Sequence, residues 1–436
     1  MRTLAEWLTL QESVHPKSID MELTRVAAVA RALGLSEPAF PVITVGGTNG
    51  KGSTAAHLEA LLEAHGARTG LFTSPHFIRY NERIRIAGSE VSDASLVGAF
   101  ERIEAARGAT TLTFFEYNTL AALLLFTQAA VDAAVLEVGL GGRLDATNLI
   151  DADVAVLASV GLDHRDYLGD TEELIGAEKA GIFRPGRPAV LGTPRMPASV
   201  FAAIGTLKAR ALVAERDFRW RRHGANWDYE GPGATLSDLP PSSLPGSIQY
   251  RNAATALAAL GSLGEGAQAR PAAAALARRL GGLDVERVRL ALTRVHLAGR
   301  FQVVPGAVEW ILDIAHNEPA AQVLAAQLRE QPLPASGTGG TIAVIGVLTD
   351  KDAGAIVAAL APVIDRWVLC ALPGPRGGSA EQLAARAGLS GQRVQLAPSV
   401  EAGCAAARAQ ARAGDRIVVC GSVYAVGPAL RWLQIY

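Results

Sequence analysis

A chain of 436 residues exceeds a single compact core and implies two or three domains. Hydrophobic residues at 49% and charged residues at 19% place it among globular proteins, and 41 Lys+Arg against 42 Asp+Glu leave a net charge of −1, which excludes the basic excess of a general nucleic-acid binder. Cys370, Cys404 and Cys420 are too widely spaced for a disulfide framework or a metal pair, and read as small buried hydrophobes in a reducing compartment.

The first ten residues mix Arg2, Glu6 and Trp7 with aliphatics, unlike a secretory signal, and the longest apolar runs are too short or too interrupted to span a bilayer. A cytoplasmic protein is expected. Val42–Val45, Thr69–Phe72, Ala133–Val138, Val154–Ala158 and Ala189–Leu191 then read as buried strands, while Thr54–His65, Ala94–Ala106 and Asn118–Ala130 repeat apolar residues at helical spacing. This alternation predicts a parallel sheet covered on both faces. Thr171–Ile182 reads as a further helix, with Thr171 as its cap and Glu172–Glu173 in its first turn. Gly224–Ser247, broken by Gly, Pro, Ser and Asp, is expected to form turns, short edge strands or a surface loop. The Ala/Arg-rich stretch Gly261–Arg289 predicts additional helix at a domain junction, its arginines on a solvated face. A boundary near Leu297 divides domains 1–297 and 298–436. Beyond it a second series follows: Gln302–Val304, Trp310–Asp313, Thr341–Gly346, Trp367–Ala371, Val394–Leu396 and Arg416–Cys420, with a loop over Gln331–Gly340. No repeat of solenoid period is visible.

The strongest chemical signal is Val42-Ile-Thr-Val-Gly46-Gly47-Thr48-Asn49-Gly50-Lys51-Gly52-Ser53-Thr54, a strand running through a glycine-rich turn into a helix. Glycines let backbone N–H groups approach an anion, and the helix N-terminus adds positive potential. Lys51 is placed to reach β- and γ-phosphates, with Ser53 or Thr54 near phosphate or its metal. The strict Walker pattern is not met, because Gly52 separates Lys51 from Ser53 and Val45 stands at the first glycine position. Strand, lysine, hydroxyls and helix in this order nonetheless favour nucleotide phosphate binding over a bare turn.

Glu137 closes an apolar strand and His164 follows another, so both converge on the ligand-bearing edge of a parallel sheet. Glu137 and Ser74 offer the oxygens that Mg²⁺ prefers. Taken alone, His164 is better read as a satisfied loop residue and Lys179 as a solvated surface charge. Asn252 reads as either an adenine contact or a helix cap, Arg300 as either a phosphate contact or a boundary ion pair. Phe114 and Phe115, side by side, are more often core, and Asp313, ending an apolar strand, suits a polar role at a sheet edge.

The variant Gly-Thr-Asn-Gly-Lys-Gly-Ser resembles the Mur ligase superfamily. Thr73-Ser74-Pro75-His76, Asn81-Glu82-Arg83-Ile84-Arg85-Ile86, Phe115-Glu116-Tyr117, the long string Leu136 to Asn148, Gly161-Leu162-Asp163-His164, Glu178-Lys179-Ala180-Gly181-Ile182, Asn252-Ala-Ala-Thr, Gly299-Arg300-Phe301, Asp313-Ile314-Ala315-His316-Asn317 and Gly421-Ser422-Val423-Tyr424 narrow the match to its folate branch, the dihydrofolate synthase/folylpolyglutamate synthases. The matches span nearly the whole chain in family order. The Gly261–Arg289 stretch departs from it, being longer than this connection usually is.

The resemblance implies an α/β protein: a P-loop-containing Mur-ligase-type domain, then a smaller Rossmann-like α/β domain, with catalysis between them. It implies an ATP-dependent ligase that phosphorylates the carboxylate of a pterin-bearing substrate and joins L-glutamate to the acyl phosphate. ATP contacts would be Thr48, Asn49, Gly50, Lys51, Gly52, Ser53, Asn252, Arg300 and Asp313. One or two Mg²⁺ ions would be held by Ser74, Glu137, His164 and a carbamylated Lys179, with Lys51, His164 and Lys179 serving catalysis. Thr113, Phe114, Phe115 and Glu116 with Leu144, Asp145 and Ala146 would receive the pterin, and His316 and Ser422 the glutamate. Partners would be small molecules, with no nucleic acid or membrane, and the chain a monomer. Dihydropteroate and reduced folates are both candidate acceptors, and Leu144-Asp145-Ala146 with Phe115-Glu116 favours dual activity. A monofunctional folylpolyglutamate synthase or another Mur-type ligase is the alternative, though the cell-wall branch adds a domain ahead of its loop. A non-catalytic nucleotide module need not keep Glu137, His164 and Lys179 together, and a kinase would show no dependence on glutamate.

Overall fold

The computed structural model describes residues 2–436 apart from 18, 267, 332 and 334–338, so most of the loop expected over Gln331–Gly340 lies outside the described residues. Two compact units emerge: one runs through Ser243 and resumes over Gln249–Val295, the other comprises Leu244–Ile248 and His296–Tyr436. Nothing in the sequence pattern marked Leu244–Ile248 as belonging with the C-terminal part.

The first unit is built on an eight-stranded sheet. Its strands are β1 (Val42–Gly46), β2 (Thr69–Phe72), β3 (Ile84–Ile86), β4 (Ser89–Glu90), β5 (Ala133–Glu137), β6 (Val154–Leu157), β7 (Pro188–Leu191) and β8 (Arg210–Val213), in the order β4-β3-β2-β5-β1-β6-β7-β8. Strands β2 to β8 across β5, β1, β6 and β7 pair in parallel. The expected all-parallel sheet is corrected at one edge, where β3 and β4 run antiparallel. The chain from Thr73 to Arg83 is too short to carry a covering helix and return in parallel, so β3 turns back directly on β2. Period-two alternation sends β1 and β5 into two cores. Ile43, Val45 and Val135 meet the helices Lys51–Ala64 and Ile248–Gly261 on one face, while Val42, Ala134 and Leu136 meet the helix Phe114–Gln128 on the other.

Gly224–Ser247 resolves into most of an antiparallel sheet: β9 (Arg219–His223), β10 (Asn226–Gly231) and β11 (Ala234–Leu239), ordered β11-β10-β9. Trp227 and Tyr229, alternating on β10, are fully buried in the first core. The Ala/Arg-rich stretch forms helices Pro271–Leu280 and Val285–Arg294. They are not a free junction: Leu276, Leu280, Val288 and Leu292 share a core with Leu58, Leu61 and Leu62 of the Lys51–Ala64 helix, and Arg278, Arg279 and Arg287 are exposed.

The second unit carries a six-stranded sheet of β12 (Gln302–Val304), β13 (Glu309–Leu312), β14 (Thr341–Ile345), β15 (Arg366–Cys370), β16 (Val394–Ala397) and β17 (Arg416–Cys420), ordered β12-β13-β17-β14-β15-β16. It is parallel except for β12 against β13. The three cysteines are buried and free, and burial raises each thiol's pKa, that of Cys370 to about 12. Among the described residues no helix is long and apolar enough to cross a membrane.

Candidate active site

The phosphate loop leaves the C-terminal end of β1 at the centre of the first sheet. Register sets Val45 beside Glu137 and Gly46 beside Leu157, so the loops after β5 and β6 flank it. Gly50 caps the Lys51–Ala64 helix in the left-handed region at φ 87°, and a Cβ there would lie 3.1 Å from Asn252 Oδ1. Thr48 N–H donates to Ser159 O (2.8 Å), Thr48 Oγ1 to Gly161 O (3.0 Å), and Asn49 N–H to Ser159 Oγ (3.0 Å). Thr48 and Asn49 therefore stitch the loop to the segment that leads into His164. Gly161 belongs to the Gly161-Leu162-Asp163-His164 string, whereas Ser159 had no sequence signal beyond its place after a strand.

Two cations converge on this loop. Lys51 Nζ donates to Gly47 O at 3.0 Å, and Lys179 Nζ donates to the same oxygen at 3.3 Å. Lys179 lies on the helix Glu172–Ala180, which Thr171 caps as expected by accepting from Leu174 N–H (3.2 Å). The solvated-surface reading of Lys179 is corrected: its residue is only 5% exposed, because the helix turns this face inward to the sheet edge. Burial, and then the charge of Lys51, hold its pKa down at about 7. Asn252 is likewise not a helix cap. It sits within the Ile248–Gly261 helix, buried, with Nδ2 donating to Gln249 Oε1 (2.9 Å) and its oxygen toward Gly50.

Glu137 is buried at the end of β5, and its Oε2 accepts from Ser74 N–H at 3.2 Å. His164 is half-buried at φ 51°, opening the short helix Arg165–Leu168, its Nε2 4.0 Å from Asp163 Oδ2. Among the described residues no group of three or more His, Cys, Asp or Glu is placed to hold a metal ion by itself. One carboxylate beside one serine fits a hard cation that brings phosphate oxygens as its remaining ligands, the usual habit of Mg²⁺.

The segments expected to receive a pterin flank the same edge. Thr113 and Glu116 form a capping box for the Phe114–Gln128 helix: Glu116 N–H donates to Thr113 Oγ1 (3.2 Å) and Thr113 N–H to Glu116 Oε2 (2.7 Å). Phe115 packs over Gly139, where a Cβ would come within 2.5 Å of its ring, and lies 5.7 Å from the Phe72 ring. Phe114 meets Tyr80 edge to face at 5.8 Å and lies beneath the Arg83 guanidinium at 5.5 Å. Asp145 accepts from Gly139 N–H, Leu140 N–H, Thr147 N–H and Thr147 Oγ1 at 2.6–3.0 Å, so its carboxylate folds the loop that carries Leu144 and Ala146. Burial raises its pKa against those bonds.

In the second unit, Asp313 follows β13 and accepts from Phe301 N–H and Ala315 N–H, both at 2.8 Å, which fixes the turns bearing Arg300 and His316. Burial raises its pKa, opposed by these bonds and by Arg300. Ser422 follows β17 and caps the Val423–Trp432 helix by accepting from Tyr424 N–H (3.1 Å). Leu312 and Val419 are register partners, so Asp313 and Ser422 share the C-terminal edge of adjacent strands.

Comparison with known proteins adds to this geometry. The model of the Mur ligase middle domain matches residues 45–191, and that of the Mur ligase glutamate ligase domain matches residues 299–423. The dihydrofolate synthase/folylpolyglutamate synthase of Escherichia coli (strain K12) is 43% identical over 427 residues, covering 97% of this chain and 94% of its own. That of Mycobacterium tuberculosis is 36% identical over 399 residues, covering 85% and 78%. Among solved structures, E. coli FolC in complex with DHPP and ADP matches at a TM-score of 0.90 with 41% identity, over 99% of this chain and 98% of that one. A bifunctional folylpolyglutamate synthase/dihydrofolate synthase with Mn, AMPPNP and L-glutamate bound matches at 0.88 with 40% identity, over 100% and 99%.

Proposed function

The chain belongs to the Mur ligase family, in its dihydrofolate synthase/folylpolyglutamate synthase branch, and from that premise we propose how its residues divide an ATP-dependent ligation of L-glutamate. It is an acid–amino-acid ligase that uses ATP with a divalent metal, and dihydropteroate and reduced folates are its acceptors. The acceptor carboxylate attacks the γ-phosphorus, the bond to the ADP oxygen breaks, and an acyl phosphate forms. The glutamate nitrogen then attacks the acyl carbon, loses a proton, and phosphate leaves with the C–O bonding pair. Prior phosphorylation is needed because hydroxide is a far poorer leaving group than phosphate.

The observation that carries the residue roles is the convergence of Lys51 and Lys179 on Gly47 O. Two ammonium groups against one carbonyl form an electrostatic arrangement that an anion completes, and transferred phosphoryl oxygens are such an anion. Lys51, with the N–H groups of Gly50 to Ser53, holds the phosphates. Asn252 closes the loop at Gly50, which supports a nucleotide contact. A divalent cation would be held by Ser74, Glu137, His164 and phosphate oxygens, offsetting charge on the transferred group. At a pKa of about 7, a fraction of Lys179 is a neutral amine near neutral pH. That amine can bond to the carbon of carbon dioxide and release a proton; the resulting anionic carbamate would offer an oxygen to the divalent cation beside Ser74, Glu137 and His164, leaving Lys51 as the cation on the phosphates. Arg300 and Asp313 are read as nucleotide contacts, and His316 and Ser422 as holding glutamate. The enzyme is read as a cytoplasmic monomer: all these groups lie in one chain, and light scattering tests that state.

The test is phosphate release with ATP, Mg²⁺ and L-glutamate, comparing dihydropteroate with tetrahydrofolate. Release with both acceptors, abolished without glutamate, is expected. No release with either from folded protein overturns the reading, and glutamate-independent release would make the chain a kinase or ATPase.

A further inference from the structure

The loop that carries Leu144, Asp145 and Ala146 closes on the end of the helix that carries Lys179. A helix leaves its last carbonyl groups without partners of its own, and this one ends at Ala180 with Gly181 as its C-terminal cap. Arg143 N–H donates to Glu178 O at 2.9 Å. Asn148 Nδ2 donates to Gly181 O at 3.1 Å and, on its own side of the junction, to Arg143 O at 3.0 Å. Gly142 is pressed so closely on the same turn that a Cβ there would lie 2.9 Å from Lys179 O and 3.0 Å from Glu178 O. A Cβ at Gly181 would in turn run into Arg143. Two glycines, one from each segment, therefore let backbone meet backbone at the last turn of the helix.

Asn148 is the centre of this junction. It is 8% exposed and belongs to the short turn Ala146–Leu149, which Asp145 caps. Its Oδ1 accepts from Arg184 Nη2 at 2.9 Å, and Arg184 Nη1 donates to Gly181 O at 3.2 Å. Arginine only donates and the two carbonyls only accept, so the amide has one possible orientation. Asn148 thus grips Gly181, two residues beyond Lys179, from within the loop. At the far end of its side chain Lys179 reaches Gly47 O of the phosphate loop. Movement of the acceptor loop would carry the backbone of Lys179 with it.

We propose that Asn148 is a positioning residue for phosphoryl transfer: it fixes the Lys179 backbone to the acceptor loop, so that the loop's hold on its substrate and the placement of Lys179 Nζ at the phosphate loop are set together. This rests on the reading of Leu144–Ala146 as an acceptor segment and of Lys179 as serving the transfer. Asn148 acts through Gly181 rather than on a reacting atom. Aspartate has the same shape and keeps an acceptor for Arg184, yet it cannot donate to Gly181 O or Arg143 O, and it sets a negative charge against both carbonyls.

Steady-state kinetics and hydrogen exchange on the full-length enzyme test this. Asn148→Ala lowers kcat about 30-fold while the KM values for ATP and L-glutamate stay within about twofold, since a small displacement of a group near the reacting atoms costs rate rather than binding. Asn148→Asp loses as much although Arg184 keeps its partner, and wild-type kcat in that variant would reduce Asn148 to an anchor for Arg184. Gly142→Ala leaves the Asn148 amide in place and pushes the loop off the helix end. It lowers kcat about tenfold and carries the test if neither Asn148 variant folds. In a Lys179→Met background Asn148→Ala changes kcat less than about threefold, because nothing remains to be positioned. With ADP present, dihydropteroate slows amide hydrogen exchange over 172–183 in the wild type and no longer does so in Asn148→Ala. A kcat loss undiminished without Lys179, equal changes in all KM values, or protection of 172–183 that survives in Asn148→Ala would overturn the positioning role. Wild-type enzyme that turns over no pterin acceptor would instead overturn the functional reading beneath it.

Discussion

The C-terminal edges of the two sheets look alike in topology and differ in how they spend their polar groups. At the edge of the first sheet, Lys51 and Lys179 both donate from Nζ to one backbone carbonyl, and Lys179 does so buried. At the edge of the second, Asp313 and Ser422 are engaged with backbone N–H groups, shaping turns. The first edge holds an electrostatic excess for an arriving anion, and the second holds loop geometry. Removing a group from the first should therefore cost activity alone, and removing one from the second should cost stability together with the substrate contact read for it.

The largest effect that could break this comparison is at Lys51. Lys51→Ala should lower glutamate-dependent phosphate release by at least about 10³-fold, as loss of a phosphate-stabilising cation does elsewhere, with the unfolding midpoint nearly unchanged. Full activity would remove the phosphate loop from the mechanism. Lys179→Met sharpens the same point by separating the two quantities. Turnover should fall about 10²-fold or more, whereas thermal stability should hold or rise, because an apolar side chain replaces an ammonium whose burial is unfavourable. A loss of both would mean that Lys179 is structural.

The two edges were also unequally legible. The strand–glycine–lysine–helix order at Val42–Thr54 names its own geometry, because left-handed backbone at Gly50 and an anion-facing turn demand those residue types. Asp313 could be placed at a strand end for the same reason. Lys179 could not, since a lysine in the last turn of a helix reads the same whether that face meets water or a sheet edge. Asn252 stayed open between a nucleotide contact and a cap because its helix begins at Ile248, in a stretch where the start signal is weak. The Asn148–Gly181 pair joins residues 33 apart in the chain, and pattern within a window carries no trace of such a contact. The antiparallel turn of β3 was missed because three residues hold too little periodicity to give direction.

Asp313→Ala tests the second edge. Two backbone N–H groups lose their acceptor, so the unfolding free energy should fall by about 2–3 kcal/mol. A smaller loss with a collapse in activity would show that this edge resembles the first after all.

His57 supplies a pH test of the first unit. It is wholly buried on the Lys51–Ala64 helix, with Nδ1 2.7 Å from Ser53 O and Nε2 2.9 Å from Ser242 Oγ, and burial lowers its pKa to about 4. Unfolding restores an ordinary value of 6.5, so between these values the unfolded chain binds more protons and stability rises with pH. Its contribution is complete above pH 6.5 and is lost as pH falls toward 4. From pH 7 to pH 5 the loss should be about 2 kcal/mol, and His57→Gln should flatten that part of the profile in urea titrations. An unchanged profile in the variant would mean that other groups carry the acid sensitivity.

Ser422 gives the smallest effect and the finest cut. As the cap of the Val423–Trp432 helix it should be worth about 1 kcal/mol, so Ser422→Ala lowers the unfolding midpoint slightly. That variant also removes any hydroxyl contact with glutamate, so it does not separate the two roles. Ser422→Asp does, because aspartate is an equally good cap and its charge suits a helix N-terminus. Stability should then match wild type, while a new carboxylate facing the two carboxylates of the amino-acid substrate should raise the glutamate KM about tenfold or more. Wild-type KM in that variant would confine Ser422 to the helix, and the glutamate would have to be held from the His316 side of the sheet edge.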